Sequence, residues 1–299
     1  MSFAELKKKS QSNLQFLQKE LEKTVSNKNV DERFWKPEVD ASGNGYAVIR
    51  FLPAPDGETV PWAKVYSHAF QGPGGWYIEN SLTTLGDKDP VGEVNRRLWN
   101  SGDDADKDTA RKQKRKLSYY SNIQVIKDPK HPENEGKVFL YKYGKKIHDK
   151  ILAAMQPEFQ DETPVNVFDL WEGANFKLKI KKVAGFWNYD SSEFDSVSAL
   201  SADDSELEAT WKSEHSLEAF TARDQFKSYE DLEKRLQLVL GVSSRPSVPS
   251  VDDEEYEPVA ATPQSDFRKQ MSAPTPVKKD SVVEDDDALS YFASLAEDD

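Results

Sequence analysis

The sequence predicts a mainly β fold with accessory α-helices, flanked by an arm and a tail that do not share its core. Three observations lead there. Between residues 44 and 186, short runs of alternating apolar and polar residues recur between clusters of Gly, Pro and Asn; period two marks strands, and such clusters mark turns. Only 37% of the chain is hydrophobic, yet 7 Trp, 11 Tyr and 15 Phe supply large side chains for a core. Charge is also segregated. The net charge is -13, but residues 246–299 hold 14 Asp and Glu against 4 Lys and Arg, while residues 107–150 hold 13 Lys and Arg against 5 acids.

Residues 1–27 read as a basic arm, with Lys7, Lys8, Lys9 and Ser10 ahead of Leu14, Leu17 and Leu21 at helical spacing. The core, residues 28–242, opens with strands at 46–52, 62–70 and 75–80, the last two joined through Gly72, Pro73, Gly74 and Gly75. Short strands and turn clusters of this kind suggest a Greek-key barrel, and the OB-fold is the commonest such barrel that takes single strands. Residues 81–99 form an insertion bearing Leu82, Leu85, Val91, Val94 and Leu98. Asp103, Asp104 and Asp106 lack the spacing and glycine of a calcium loop and read as a solvated loop.

Residues 112–150 carry the functional signal. Lys112, Lys114, Arg115 and Lys116 lead into Tyr119 and Tyr120, and a Pro, Asn and Gly loop at 128–136 joins this strand to one holding Tyr141, Lys142, Tyr143, Lys145 and Lys146. Period two places Tyr141 and Tyr143 on one face and Leu140 and Lys142 on the other. Exposed rings flanked by ammonium groups are what a single-stranded nucleic acid needs, because bases stack on rings while cations follow the phosphates. Lysines that merely keep an edge soluble would explain each residue but not this concentration in an acidic chain.

A helix at 144–155 follows, with Ile147, Ile151, Leu152 and Met155 on one face and Pro157 as its stop. In the strand at 175–186, Lys177, Lys179 and Lys181 alternate with Phe176, Leu178 and Ile180, so one face offers three ammonium groups. Phe186, Trp187 and Tyr189 add rings beside them. Helices at 205–220 and 228–240 brace the barrel; Ser228 and Asp231 form the capping pair of the second, and Gly241 ends it. Residues 243–299 form a disordered acidic tail. At its tip Leu289, Phe292 and Leu295 suit a short helix that forms on a partner.

These residues carry a resemblance. The strings KDPKHPENEGKVFLYKYGKKI (127–147), NGYAVIRFLP (44–53), GGWYIEN (74–80) and PVNVFDLWEGANFKLKIKKVAGFWNYD (164–190) are similar to the replicative single-stranded DNA-binding proteins of tailed bacteriophages, the gene 32 protein family. The resemblance implies DNA-facing aromatics at Tyr119, Tyr141, Phe186 and Tyr189. It implies an arm that contacts the neighbouring copy on DNA through Lys7, Lys8, Lys9 and Ser10, and a tail that takes phage replication and recombination proteins. It places the protein in the cytoplasm of an infected bacterium. Relatives hold zinc with one His and three Cys; those positions fall here on His68, Ser81, Val91 and Val94, so no zinc or other cofactor is expected. Val91 and Val94 would form an apolar cluster in its place, leaving His68 a relic or a surface residue.

Composition narrows the function classes. Zero Cys excludes disulfides and thiolate metal sites. No stretch approaches a membrane span, and the N-terminal lysines are followed by polar residues, unlike a secretory signal. An enzyme is disfavoured by only 4 His, no phosphate-binding Gly-Lys loop and no carboxylate constellation in the basic region. The expectation is a non-enzymatic protein that coats single-stranded DNA, with an RNA-binding translational regulator on the same fold as the alternative.

Overall fold

The computed structural model describes residues 31–241, save Gln160. Lys7, Lys8, Lys9 and Ser10, and Leu289, Phe292 and Leu295, lie outside the described residues. In chain order the strands are β1 (Phe34–Trp35), β2 (Gly45–Phe51), β3 (Ala63–Gly72), β4 (Gly75–Asn80), β5 (Lys116–Lys127), β6 (Val138–Tyr143), β7 (Ala174–Val183), β8 (Phe186–Asn188) and β9 (Glu193–Val197). The helices are α1 (Pro90–Asn100), α2 (Asp104–Gln113), α3 (Lys145–Met155), α4 (Asp204–Lys212) and α5 (Tyr229–Leu240). The fold is mainly β with accessory helices. It divides into two compact units, one holding residues 31–65 and 117–225, the other residues 66–116 and 226–241.

In the first unit, β6, β5, β2 and β7 pair antiparallel in that order; β1 joins β6 in parallel, and β8 and β9 both pair with β7. The predicted alternation of β7 holds, with Phe176, Leu178 and Ile180 buried and Lys177 and Lys179 half-buried. Those inward residues meet Ile49, Phe51, Ile123 and Val125 in one core. Arg50 on β2 is wholly buried, a costly place for a charge unless its donors are met. Its guanidinium donates to the carbonyl of Ser198 at 2.6 Å, that of Asp169 at 3.2 Å and the Asn175 side chain at 3.3 Å, tying β2 to β7 and the chain beyond.

Two expectations for this unit change. Along α3 the inward face is Ile147, His148 and Ile151, whereas Leu152 is exposed. The helix expected at 205–220 stops at Lys212. The Glu58 carboxylate accepts from the Leu217 and Glu218 N–H groups and the Ser216 hydroxyl, a tertiary capture that overrides helical propensity there. Residue Leu207 of α4 packs with Leu52 and Leu170, as a bracing helix should.

In the second unit, β3 and β4 form the hairpin expected from the glycine cluster, closed at Gly72 and Gly75. Helix α5 starts at Ser228, whose hydroxyl accepts from the Asp231 N–H, and ends at Gly241 in the left-handed region with φ 70°. Its stripe, Leu232, Leu236 and Val239, is buried with Phe70, Tyr77, Leu82 and Val91 of this same unit. The acids at 103–106, expected as a loop, instead start α2: Asp103 caps it, accepting from Ala105 N–H, with Asp104 and Asp106 in its first turn. Carboxylates are favoured there by the positive end of the helix dipole.

Candidate nucleic-acid interface

Strands β7 and β8 form a tight hairpin turned by Ala184 (φ 50°) and Gly185 (φ 88°). At its end Phe186 is 66% exposed and Trp187 48% exposed, beside exposed Lys181 and Lys182. Large rings left in water do nothing for the core and are available to a ligand. The preceding turn fits beneath the hairpin because it carries Gly43 (φ 80°); a Cβ there would lie 2.8 Å from the Cβ of Lys182. Tyr189 is half-buried against the core, and burial raises its phenol. Trp187 stands in the sequence between two residues of the predicted site and is not itself one of them.

The other predicted cations of this unit differ in availability. Exposed Lys142 lies over the Tyr120 ring at 5.4 Å, and Tyr120 stacks on Phe220 at 4.5 Å. Lys177 is paired with Asp195 at 2.8 Å and Lys179 with Glu193 at 2.6 Å, both acids coming from β9. Of the three lysines expected to offer free ammonium groups, only Lys181 has no ion pair among the described residues. Lys145 is paired with Asp149 at 3.1 Å, and Lys146 lies 3.9 Å from Asp190. Such exposed pairs are weak and can exchange for a phosphate.

The expected open face of tyrosines is corrected. Tyr119, Tyr141 and Tyr143 are 4–6% exposed and belong to the core. Period two holds, but the tyrosine face is buried, and on the opposite face Lys142 is exposed while Leu140 is wholly buried. Tyr141 meets Trp35 at 5.4 Å, and Tyr143 shares a 2.9 Å hydrogen bond with Ser121. Tyr119 stacks on His148 at 3.8 Å. Burial pushes the Tyr141 and Tyr143 phenols far above their ordinary range, so they stay neutral.

The second unit presents the basic run. Lys112 lies in the last turn of α2 and is exposed, Lys114 and Arg115 are half-buried, and Lys116 is exposed where β5 begins. The Arg115 guanidinium lies 4.1 Å above the Tyr66 ring, which holds its side chain by a cation–π contact. The carbonyl of Gln113 is held at 3.0 Å by His68 Nδ1 and at 3.3 Å by the Asn95 amide.

His68 is therefore neither a relic nor a surface residue: it is 2% exposed. Its Nε2 lies 3.3 Å from the Asp89 carboxylate, which is 3% exposed. Asp89 also accepts from the Ser81 hydroxyl at 3.0 Å and from the N–H groups of Leu82 (3.1 Å), Val91 (3.0 Å) and Gly92 (3.3 Å). Burial works to raise this carboxyl, but the hydrogen bonds and charge of His68, with those of Ser81 and Leu82, outweigh it and hold it below the usual range. Val91 and Val94 do join an apolar cluster, as expected, yet the centre of the place is polar.

The chain matches the family model described as gp32 DNA binding protein like over residues 43–240. It is 44% identical over 217 residues to the single-stranded DNA-binding protein of Enterobacteria phage T2, which covers 72% of each chain. The protein of that name from Enterobacteria phage T4 is 44% identical over 216 residues, covering 71% of this chain and 72% of the relative. A shorter match, 49% over 59 residues, covers 20% of this chain and 52% of the single-stranded DNA-binding protein of Escherichia phage SV14.

Proposed function

The chain belongs to the gp32 DNA binding protein like family, and from that premise we propose that it coats single-stranded DNA without strong sequence preference during phage DNA replication, recombination and repair. The observation that carries this reading is the β7–β8 hairpin, which holds Phe186 and Trp187 in water beside Lys181 and Lys182. Rings that take any base and cations that take any phosphate bind a strand without reading its sequence. The β2, β5, β6 and β7 sheet is the OB-fold-like part of the molecule, and the basic run Lys112, Lys114, Arg115 and Lys116 supplies further phosphate contacts. Tyr119, Tyr141 and Tyr143, buried in the core, support the sheet rather than stack on bases. The protein performs no catalysis and works in the cytoplasm of the infected host.

The test is affinity for an oligonucleotide as a function of salt. With roughly four to six phosphates engaged, log K is expected to fall against log salt with a slope of about -3 to -4. A flat response would remove the electrostatic reading, and equal affinity for RNA of the same length would remove the preference for DNA.

Cooperativity is assigned to Lys7, Lys8, Lys9 and Ser10, and the docking of replication proteins to the tail tip at Leu289, Phe292 and Leu295. Deleting residues 1–24 is expected to leave binding to a one-site oligonucleotide nearly intact while weakening coverage of long strands. Equal losses on both substrates would place those lysines on the DNA surface instead.

A further inference from the structure

The positions at which relatives carry zinc ligands are His68, Ser81, Val91 and Val94, and their chemistry does not fit the metal. Tetrahedral zinc needs four donors, and valine has none to give. The imidazole is already engaged on both nitrogens, and the Ser81 hydroxyl is taken up by Asp89 and Thr83. Yet the three chain segments a metal would join are joined. His68 lies on β3, Ser81 and Leu82 follow β4, and Val91 and Gly92 open α1; one carboxylate, that of Asp89, contacts all three.

We infer that Asp89 takes the mechanical place of the metal: its carboxylate is a metal-free clasp that closes the β3, β4 and α1 joint and, through His68, fixes the start of the basic run. The path is short. Asp89 positions His68 from the Nε2 side, and the opposite nitrogen, Nδ1, lies 3.0 Å from the Gln113 carbonyl. Gln113 is the last residue of α2 and directly precedes Lys114, Arg115 and Lys116. Asn95 of α1 binds the same carbonyl, so the basic run leaves α2 from a point held by two side chains. An anion thus gathers N–H and O–H donors where a cation would gather thiolates, which is why the sequence can do without cysteine at all three positions and still retain the histidine. Asp89 is a positioning residue; the step to DNA rests on the reading of the basic run given above, whereas the clasp itself does not.

The full chain tests both parts. Elemental analysis of protein purified without chelator is expected to find no stoichiometric zinc, and neither EDTA nor added zinc should shift its melting temperature. Asp89→Asn keeps the size and removes the charge; losing one partner of a buried charged cluster is expected to lower the melting temperature by roughly 6–15 °C. Stoichiometric zinc with chelator-sensitive melting, or an Asp89→Asn variant melting within a degree of the parent, would overturn the clasp. Should Asp89→Asn fail to fold, the wild-type zinc and chelator measurements decide. The link to the basic run is read separately, as oligonucleotide affinity of the folded variant at low temperature, with a loss of several-fold expected. Unchanged affinity in a destabilised variant would overturn the link, and a wild-type chain that binds no DNA would instead sink the proposed function while leaving the clasp measurable.

Discussion

Replacing Phe186 and Trp187 together by alanine is expected to weaken binding of a short single-stranded DNA by about 2–6 kcal/mol, since each base stacked on a ring is worth ~1–3 kcal/mol. The fold should survive. Phe186 is 66% exposed and gives little to the fold, whereas Trp187, 48% exposed, keeps about half of its surface covered, so a modest fall in melting temperature is expected. The hairpin itself rests on backbone pairing between β7 and β8 and on the turn at Ala184 and Gly185, which the substitutions leave in place. Affinity is read by anisotropy at one fixed salt concentration, with the melting temperature as the control. A folded double variant that binds within twofold of the parent would return both rings to the status of incidental surface. Changing Lys181 and Lys182 to Gln should act differently, making the salt slope shallower by about one for each phosphate that is no longer neutralised.

How far the sequence discloses such a surface depends on the distance over which each signal acts. The alternation Phe176, Lys177, Leu178, Lys179, Ile180 is local and lysine names the outer face, so β7 is legible in detail. Tyr141 and Tyr143 show the limit of that logic, because period two says they share a face and not which face is buried. The intervening Lys142, exposed in the structure, is the available sign that the tyrosines point inward. The acids at 103–106 do not have the spacing of a cation site, but Asp103 followed by an acidic first turn is also a helix start. The pairing of Lys177 and Lys179 with β9 is not readable, since nothing local registers Glu193 and Asp195 against them. Nor is the partnership of His68 with Asp89, two residues brought together only by the packing of β3 on the start of α1. Family resemblance points to the right place there, and Val91 and Val94 do join an apolar cluster, but nothing local announces the buried carboxylate beside them.

Long-range packing also sets the second large effect. Glu214 follows α4, and both of its carboxyl oxygens are buried without a hydrogen-bond partner among the described residues. Burial, with the neighbouring Glu58 charge, pushes its carboxyl up from 4.5 to about 8. Glu58 offers no relief, because its carboxylate already serves Ser216, Leu217 and Glu218. The folded chain therefore keeps a proton on Glu214 that the unfolded chain releases near pH 4.5, and stability falls wherever the folded state binds more protons. Its contribution is fully present below 4.5 and is lost as pH rises towards 8. A shift of this size would correspond to roughly 4–5 kcal/mol for a fully enclosed group, and partial exposure brings the expectation to about 2 kcal/mol. His148 and His215, which burial lowers from 6.5, act in the opposite sense at more acidic pH, so the parent alone does not isolate Glu214. The comparison with Glu214→Gln does. Urea unfolding is expected to show the variant about 2 kcal/mol more stable than the parent at pH 8.5, with the advantage shrinking steadily towards pH 5 as the parent carboxyl regains its proton. A difference between the two proteins that stays constant across this range would mean that Glu214 is ionised in the folded state and that water or a cation reaches it.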